Sequence, residues 1–253
     1  MFFFNYIYAI QMQKNRSRPN HKKPQESFSF AEADDRVYDV FRNHDFGDYP
    51  HAQRHELVRF YLLLMQNQKS QNFTRLITLR DVAIKHFIDC LMIPRLTKLE
   101  FPLLDMGTGP GFPGIPLKIH LPDQRLILAE GVQKRVDFLK LVRDELKLPN
   151  LDIIGRYVNE DFIYPVQSVI TRAVESAESS ISNVMMCLNV GGSLVLMKGP
   201  NCQHEIAPAL SKWGEYFRLE KNTPYVLPKT SHERTLLVFR KFKAAPQLAL
   251  KPK

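Results

Sequence analysis

The sequence predicts an α/β fold with a central, mostly parallel sheet, a terminal β-hairpin and a helical cap on its N-terminal side. Two observations lead to this prediction. After Glu100, short apolar segments alternate regularly with longer amphipathic segments, a pattern typical of a parallel sheet flanked by helices. The first apolar segment ends at Met106 and passes directly into a glycine-rich loop, which predicts a strand, a tight turn and the start of a helix.

Three helices are predicted before the first strand. The first covers residues 31–43, and the third covers residues 81–92. The second includes residues 57–64, where apolar side chains recur at i, i+3, i+4 and i+7 and so line one face of a helix. Residues 31–98 are therefore predicted to form the helical cap.

Five strands and four helices are predicted to follow the cap. The strands lie near residues 102–106, 125–130, 151–155, 166–171 and 193–197. The helices lie near residues 115–120, 133–146, 177–188 and 204–213. Segments 217–226 and 235–242 are predicted to close the chain as a β-hairpin, because Pro224 and Pro228 exclude a helix between them. Residues 99–243 are thus predicted to form one sheet-containing domain.

The positive charge of the chain is concentrated at its two ends. The sequence has 253 residues and a net charge of +9, of which residues 1–30 carry +4 and residues 240–253 carry +5. The remainder is neutral, so a basic surface on the folded core must be a local patch. We predict a disordered basic extension over residues 1–30 and a basic tail over residues 244–253, both suited to attract polyanions.

Cysteine usage and hydropathy indicate a cytoplasmic protein without metal. The three cysteines are widely spaced and include no CxxC pair, which favours neither a disulfide framework nor a zinc site. The apolar start of the chain is too short to span a bilayer, and its positive charges follow it instead of preceding it. No heptad or exposed apolar stripe is evident, so we expect a monomer that does not bind membranes.

The loop from Gly107 to Gly114 has the composition of a nucleotide cradle, because glycines permit positive φ and let a ligand approach the main chain. Asp105 precedes this loop, where a carboxylate opposes a pyrophosphate and attracts an ammonium group. Glu130 follows the second strand, where a nucleoside cofactor requires an acid for its ribose hydroxyls. These residues favour S-adenosylmethionine. NAD remains the alternative, since the loop also satisfies G-x-G-x-x-G.

Several motifs occur in a fixed order along the chain. They are the segment from Asp105 to Leu117, Lys134-Arg135-Val136-Asp137-Phe138-Leu139, Thr171-Arg172-Ala173, Lys198-Gly199 and Glu233-Arg234. Upstream of them lie Asn72-Phe73-Thr74 and His86-Phe87-Ile88-Asp89-Cys90. Together these motifs resemble the RsmG (GidB) family of bacterial 16S rRNA guanine-N7 methyltransferases over residues 37–240. Phe73 and Cys90 depart from that family's usual Leu and Ser.

The resemblance implies a Rossmann-like class I methyltransferase that modifies N7 of a guanine in 16S rRNA or in the small ribosomal subunit. It implies a cofactor site made of Asp105, Gly107, Thr108, Gly109, Gly111, Phe112 and Glu130. It implies that Arg172, Lys198 and Arg234 orient the RNA as catalytic residues, with Lys134, Arg135, Asn72 and His86 as further substrate-binding residues. Since N7 has an available lone pair, this reaction needs alignment and no catalytic base.

Each polar candidate also has a structural interpretation. Arg172 follows an apolar strand and is expected at its carboxyl edge, yet it could instead form a structural ion pair. Lys134 and Lys198 could simply be solvated. His86 and Asp89 stand one helical turn apart, and we expect them to fix the cap against the glycine loop instead of forming an acid–base pair.

Two other functions stay open at this stage. The first is an NAD-linked oxidoreductase, for which the glycine spacing is adequate. The second is an RNA-binding module without catalysis, in which the basic ends bind the nucleic acid. Titration with S-adenosylhomocysteine and NADH separates the first from a methyltransferase, and a methylation assay separates the second.

Overall fold

The structure is a computed structural model that describes residues 27–172 and 175–244. The predicted extension and tail lie outside the described residues at positions 1–26 and 245–253. Before the sheet come helices α1 (Phe30–Asn43), α2 (His51–Gln71), α3 (Leu79–Val82) and α4 (Asp89–Leu96), with a π-helical segment, Ala83–Ile88, joining the last two. All three predicted helical segments are therefore helical.

The ends of the cap helices follow from local polar residues. Ser29 begins α1 with a capping box, in which its Oγ accepts from the Glu32 amide at 3.3 Å and its own amide donates to the Glu32 carboxylate at 2.8 Å. Thr78 accepts from the Asp81 amide at 3.2 Å and starts α3 in the same way. Asn72 ends α2 in the left-handed conformation, with φ of 53°, as suits a turn residue.

The described residues of the second part form seven strands and four further helices. The strands are β1 (Leu103–Met106), β2 (Leu126–Ala129), β3 (Leu151–Ile154), β4 (Val166–Arg172), β5 (Leu188–Lys198), β6 (Phe217–Val226) and β7 (Glu233–Lys241). The helices are α5 (Gly114–His120), α6 (Gln133–Glu145), α7 (Ala177–Val184) and α8 (Ile206–Trp213).

The strands form a single sheet in the order β3-β2-β1-β4-β5-β7-β6. The first five strands are parallel, whereas β7 runs antiparallel between β5 and β6. This confirms the predicted α/β fold with a mostly parallel sheet and a terminal hairpin. Because β1, β2, β4 and β5 are parallel, their last residues, Met106, Ala129, Arg172 and Lys198, lie at one edge of the sheet.

One predicted boundary is wrong. The helix predicted over residues 177–188 ends at Val184, and β5 begins at Leu188 instead of near residue 193. Leu188 pairs with Val166, and the register then shifts before Ser168 pairs with Ser193. The shift in register accompanies Gly191, whose φ is 84°. The strand therefore continues across this irregularity to Leu188, an apolar position that the sequence had assigned to the end of the helix.

Two hydrophobic clusters cover the two faces of the sheet, and neighbouring strand residues alternate between them. Leu103 belongs to the first cluster and Leu104 to the second. The first cluster also contains buried residues of α1 and α2, among them Phe41 and Tyr61. The helical cap and one face of the sheet therefore share a core, and the side chain of Asp105 points toward that face. The predicted domain limits at residues 30, 98 and 243 stay predictions.

Among residues 27–172 and 175–244, no helix combines the length and the apolar character that crossing a bilayer requires.

Candidate active site

The loop after β1 adopts a conformation that requires its glycines. Gly107, Gly109 and Gly111 have φ values of 70°, 60° and 108°. A Cβ on Gly111 would lie 2.6 Å from Cγ1 of Ile115, so no larger residue fits there. The amides of Gly107 and Thr108 donate to the carbonyl of Ala129 at 3.0 and 3.2 Å and thereby bind the loop to β2. The loop therefore has the tight backbone that its glycines predict, and its contact with a cofactor stays a prediction.

Asp105 lies inside the protein at the end of β1, with only 1% of its surface exposed. Its Oδ2 accepts from the Gly114 amide at 2.7 Å and fixes the start of α5. Its Oδ1 is buried and meets no donor in full hydrogen-bond geometry among the described residues, although the Thr108 side chain lies close to the carboxylate. Burial raises the pKa of Asp105 to about 7, against the lowering effects of the Thr108 side chain and the Gly114 amide. A cation beside Oδ1 would satisfy this oxygen and favour the ionised carboxylate.

Glu130 connects the glycine loop to the start of α6. It is 4% exposed, and its two carboxylate oxygens accept from the amides of Gly109 at 3.0 Å and Val132 at 2.8 Å. It also lines a cavity together with Gly107, Gly131 and Tyr157. A buried acid at the end of β2, beside the glycine loop, suits the ribose hydroxyls of a nucleoside.

The residues at this edge of the sheet match the three parts of S-adenosylmethionine. Asp105 has a buried oxygen that suits an ammonium group, and Glu130 is an acid that suits a ribose. Gly107 and Gly109 have no side chain, so a ligand can lie close to the main chain between them. The residues present therefore fit S-adenosylmethionine. Asp105 and Glu130 would hold the amino group and the ribose, and the cofactor supplies a methyl group on a sulfonium.

Five predicted cofactor residues do not line the cavity beside Glu130: Asp105, Thr108, Gly109, Gly111 and Phe112. Thr108 is 1% exposed, and its Oγ1 has no hydrogen-bond partner within residues 27–172 and 175–244. Phe112 is buried on the cap side, where its ring centroid lies 5.2 Å from that of Phe60 and 4.1 Å from that of His86. Their direct contact with a cofactor stays a prediction, and the packing of Phe112 gives it a role in joining the loop to the cap.

A second cavity of about 380 Å³ lies at the same edge, between the cap and the ends of β4, β5 and β7. Its lining includes Arg172, Lys198, Arg234 and His86, so four predicted residues from four segments meet there. Its volume is in the range of pockets that hold small molecules or a single base. Arg135 instead lines the cavity beside Glu130, with its Nη1 3.5 Å from Glu130 Oε2, whereas Lys134 and Asn72 are exposed.

Asp89 is the central acid of this second cavity. It is 2% exposed, and its Oδ2 lies 3.7 Å from Arg172 Nη1 and 3.5 Å from Arg234 Nε. The hydroxyl of Tyr225 donates to Oδ1 at 3.1 Å, and burial raises the pKa of Tyr225, which keeps that proton in place. Two guanidinium groups thus share one carboxylate, which leaves the arginine pair with excess positive charge.

His86 contacts the cap, the glycine loop and β4 at once. Its Nδ1 lies 2.8 Å from Arg172 Nη2, and its Nε2 lies 3.3 Å from Thr74 Oγ1. Its ring stacks on Phe112 with an interplanar angle of 16°. Burial, followed by the nearby charge of Arg172, lowers the pKa of His86 well below its usual value. The expectation that His86 and Asp89 fix the cap near the loop agrees with these contacts.

Lys198 has a more structural environment than the two arginines. Its Nζ donates to the Glu205 carboxylate at 2.8 Å and to the carbonyl of Glu175. Its side chain is 9% exposed. Glu205 also accepts from the Ala177 amide at 2.7 Å, so this pair stabilises the start of α7. The catalytic role of Lys198 stays a prediction.

Two further residues of this site were not found from the sequence: Tyr225, which bonds to Asp89, and Tyr157, which lines the cavity beside Glu130. Tyr225 comes from β6, far from Asp89 in sequence, and no local pattern distinguishes it from other strand residues. Tyr157 is 66% exposed, and its ring lies over Gly131, whose Cβ position would be 2.3 Å from Cζ of the tyrosine. An aromatic residue a few positions after a strand that ends beside the cofactor loop was the available signal for Tyr157.

The strand order and the two cavities fit a Rossmann-like methyltransferase that uses S-adenosylmethionine. Residues 53–232 match the family described as GidB, rRNA small subunit methyltransferase G. The chain therefore belongs to the rRNA small subunit methyltransferase G family. This membership confirms the predicted enzyme class over the oxidoreductase and over the RNA-binding module without catalysis.

Several curated proteins are similar to most of this chain. It is 56% identical over 226 residues to "Ribosomal RNA small subunit methyltransferase G 2" of Bdellovibrio bacteriovorus, with 89% of each chain covered. It is 39% identical over 186 residues to the protein of the same name from Syntrophobacter fumaroxidans, covering 74% of this chain but only 37% of that longer protein. It is 32% identical over 210 residues to "Ribosomal RNA small subunit methyltransferase G" of Lachnoclostridium phytofermentans, covering 77% and 85%.

Proposed function

We propose that this protein transfers the methyl group of S-adenosylmethionine to N7 of a guanine in 16S rRNA. The choice of N7 is what the family resemblance implies, and one observation supports it. In the second cavity, Asp89 is held by Tyr225, Arg172 and Arg234, and His86 Nδ1 accepts from Arg172. The Nδ1 lone pair of His86 is therefore occupied, and Asp89 faces the Tyr225 hydroxyl and two arginines, so neither group is placed as a free general base. A nucleophile that keeps no proton, such as guanine N7, is the one that suits this cavity.

The proposed reaction is a direct displacement. The lone pair of N7 forms a bond to the methyl carbon, the carbon–sulfur bond breaks, and its electron pair stays on sulfur. The products are S-adenosylhomocysteine and a guanine whose imidazole ring carries the positive charge. No proton leaves in this step, so alignment of the three reacting atoms supplies most of the rate.

The arginines are proposed to hold the guanine and its phosphate. Guanine O6 and phosphate oxygens accept hydrogen bonds from guanidinium groups, which are donors at every relevant pH. Arg172 and Arg234 line the cavity with side chains that are 18% and 26% exposed, so both are accessible from it. Asp89 between them offsets part of their charge, which limits repulsion of the positive charge that develops on the base. We propose Lys198 as a weaker participant, because its Nζ already has two protein acceptors.

The cofactor is proposed to lie across the loop after β1. Asp105 would attract its ammonium, Gly107, Thr108, Gly109 and Gly111 would pass beneath its methionine part, and Glu130 would bind its ribose. This orientation is supported by the cavity beside Glu130, which includes Met106 and Gly107 and therefore reaches the loop. The second cavity lies past the neighbouring strand β4, so a methyl group between the two would face Arg172.

The remaining partners are proposals of the same kind. Asn72 and Lys134 are exposed residues suited to contact RNA outside the cavity. A ribosomal substrate also supports the predicted cytoplasmic location. We retain the prediction of a monomer without metal.

Methyl transfer to small ribosomal subunits that lack the modification tests the proposal. The purified protein and S-adenosylmethionine labelled in the methyl group are incubated with small subunits and, as a control, with large subunits. The position is then mapped by borohydride reduction and aniline cleavage, which cuts RNA at N7-methylguanosine. We expect label in the small subunit alone and one cleavage site. Label without cleavage would overturn N7, and absence of label in both subunits and in naked 16S rRNA would overturn the function.

A further inference from the structure

We propose that His86 is a positioning residue, which orients the guanidinium of Arg172 toward the substrate by accepting its hydrogen bond as a neutral imidazole. The inference rests on the proposed contact between Arg172 and the RNA. In this proposal His86 acts through Arg172 and does not contact the substrate directly, as the sequence had suggested it would.

The hydrogen bonds around His86 select one tautomer. Arg172 Nη2 is a donor, so Nδ1 of His86, 2.8 Å away, must be the acceptor and carry no proton. Nε2 then carries the proton and donates to Thr74 Oγ1 at 3.3 Å. Thr74 Oγ1 also accepts from the Leu76 amide at 3.1 Å, which fixes its position. The imidazole is therefore held by a hydrogen bond at each nitrogen.

Phe112 provides a flat surface that fixes the plane of the imidazole. The two rings stack with centroids 4.1 Å apart, and the guanidinium carbon of Arg172 lies 5.4 Å from the centroid of the same ring. Phe112 is itself packed against Phe60 at 5.2 Å and Phe87 at 6.3 Å. The orientation of Arg172 thus depends on a residue of the glycine loop through His86.

The other bonds of Arg172 leave its orientation incomplete without His86. Nη1 donates to the Lys85 carbonyl at 3.3 Å and lies 3.7 Å from Asp89 Oδ2, so both are long contacts to the same nitrogen. The short bond is the one from Nη2 to His86. The Arg172 side chain is 18% exposed at the cavity. If only Nη1 were held, the guanidinium could rotate and turn Nη2 away from a bound base.

The environment of His86 favours the neutral form that this role requires. The charged groups that face it are Arg172 from β4, Arg234 from β7, Lys85 on its own π-helical segment and Asp89 at the start of α4. A proton on Nδ1 would remove the acceptor and place a cation against the guanidinium. Burial and Arg172 oppose this proton and outweigh the Lys85 main chain, which favours it.

Three substitutions separate the contacts of His86. His86→Phe keeps a ring to stack on Phe112 and removes both nitrogens, and His86→Asn keeps an oxygen near the place of Nδ1. We expect His86→Phe to lower the rate of methyl transfer at saturating cofactor by about tenfold or more, as for loss of one oriented donor. His86→Asn should recover most of that loss. His120→Phe is the matched control, since His120 stacks on Tyr49 at 5.8 Å and does not line the cavity.

Two further measurements distinguish positioning from a structural role. Affinity for S-adenosylhomocysteine, measured by calorimetry, should change less than twofold in His86→Phe. Combined with Arg172→Ala, His86→Phe should have no further effect on the rate, because its action passes through that arginine. An unchanged rate in His86→Phe, no recovery in His86→Asn, or full additivity with Arg172→Ala would each overturn the inference.

Nitrogen NMR of the wild-type imidazoles keeps the inference testable if His86→Phe does not fold. We expect His86 Nδ1 to be unprotonated and Nε2 to carry the proton, and a proton on Nδ1 would overturn the inference. This readout does not depend on turnover. A wild-type protein with this tautomer that methylates no ribosomal RNA would contradict the proposed function instead.

Discussion

The two cavities at the carboxyl edge of the sheet are built in different ways. The glycine loop with Asp105 and Glu130, here called the cofactor side, is fixed by residues that are close in sequence. Asp105 accepts from the Gly114 amide at 2.7 Å, and Glu130 accepts from the Val132 amide at 2.8 Å. The second cavity, here called the substrate side, is built from distant segments. Its Asp89 contacts Tyr225 and Arg234 only when the cap is packed against the hairpin. The two acids beside the glycine loop are thus fixed by short-range bonds, whereas the acid of the second cavity is fixed only by the tertiary structure.

This difference predicts where each cavity is vulnerable. A substitution on the cofactor side should change ligand affinity and leave the rest of the protein folded. A substitution on the substrate side should also change stability, since the same charges join the cap to β4 and β7.

Replacing Asp89 with alanine should lower the free energy of unfolding by about 3 kcal/mol, because it leaves two partly buried guanidinium groups and the Tyr225 hydroxyl without their shared acceptor. Urea unfolding measures this loss. The control is Asp152→Ala, which breaks an exposed pair with Arg125 at 2.8 Å and should cost less than about 1 kcal/mol. Equal losses in the two variants would contradict a structural role for Asp89.

Arg172→Ala should reduce methyl transfer to small subunits about 100-fold, or about 2.7 kcal/mol of transition-state stabilisation, as expected when one oriented donor is lost. Affinity for S-adenosylhomocysteine should stay within about twofold of the wild-type value, because Arg172 does not line the cavity beside Glu130. Arg125→Ala, at the opposite edge of the sheet, serves as the control. Unchanged turnover in Arg172→Ala would remove this residue from the active site.

The contrast also explains how much the sequence could predict. The glycine loop, Asp105 and Glu130 were identified from their spacing, since a strand, a tight turn and the next strand place them together without other parts of the fold. His86 and Asp89 were recognised as a pair on one helical turn, but their partners were not. Arg172 and Arg234 reach Asp89 through strand order and hairpin geometry, which no local pattern encodes.

The burial of Asp105 was likewise beyond local patterns. Its position at the end of a strand predicted a carboxylate that attracts a cation, and the structure adds that the group is enclosed by α5 and Gly114. A raised pKa follows from that enclosure. Sequence alone gives the residue type and its place on the strand, whereas packing decides its charge at neutral pH.

Affinity for S-adenosylmethionine should therefore depend on pH through Asp105, whose pKa is about 7 without ligand. Below that value the carboxyl is protonated, and binding an ammonium must expel the proton, so affinity should fall about tenfold between about pH 8 and about pH 6. Asp105→Asn should bind more weakly at the higher pH and show a flat profile in calorimetry. A flat profile in the wild-type protein would contradict this role.

The raised pKa of Asp105 also makes the stability of the fold depend on pH, but stability falls as pH rises, whereas cofactor affinity increases. The folded-state pKa of about 7 lies above 3.8, the usual value for an aspartate, so the contribution of Asp105 to stability is fully present below the lower value and is lost as pH rises through 7. Asp105→Asn should thus unfold at higher urea than the wild type at about pH 8, and the difference should shrink toward about pH 5. Destabilisation that is equal at both pH values would indicate that the Gly114 bond dominates.

Tyr157→Ala should give the smallest effect, a loss of about 1 kcal/mol or about fivefold in cofactor affinity, as for loss of one aromatic ring that stacks on a base. The ring lies over Gly131 and lines the cavity together with Glu130. Tyr157→Phe keeps the ring and should bind normally. Ile163→Ala gives the baseline, since Ile163 is 73% exposed and lies outside the cavity. If Tyr157→Ala binds as tightly as Ile163→Ala, the cofactor side depends on its loop and two acids alone.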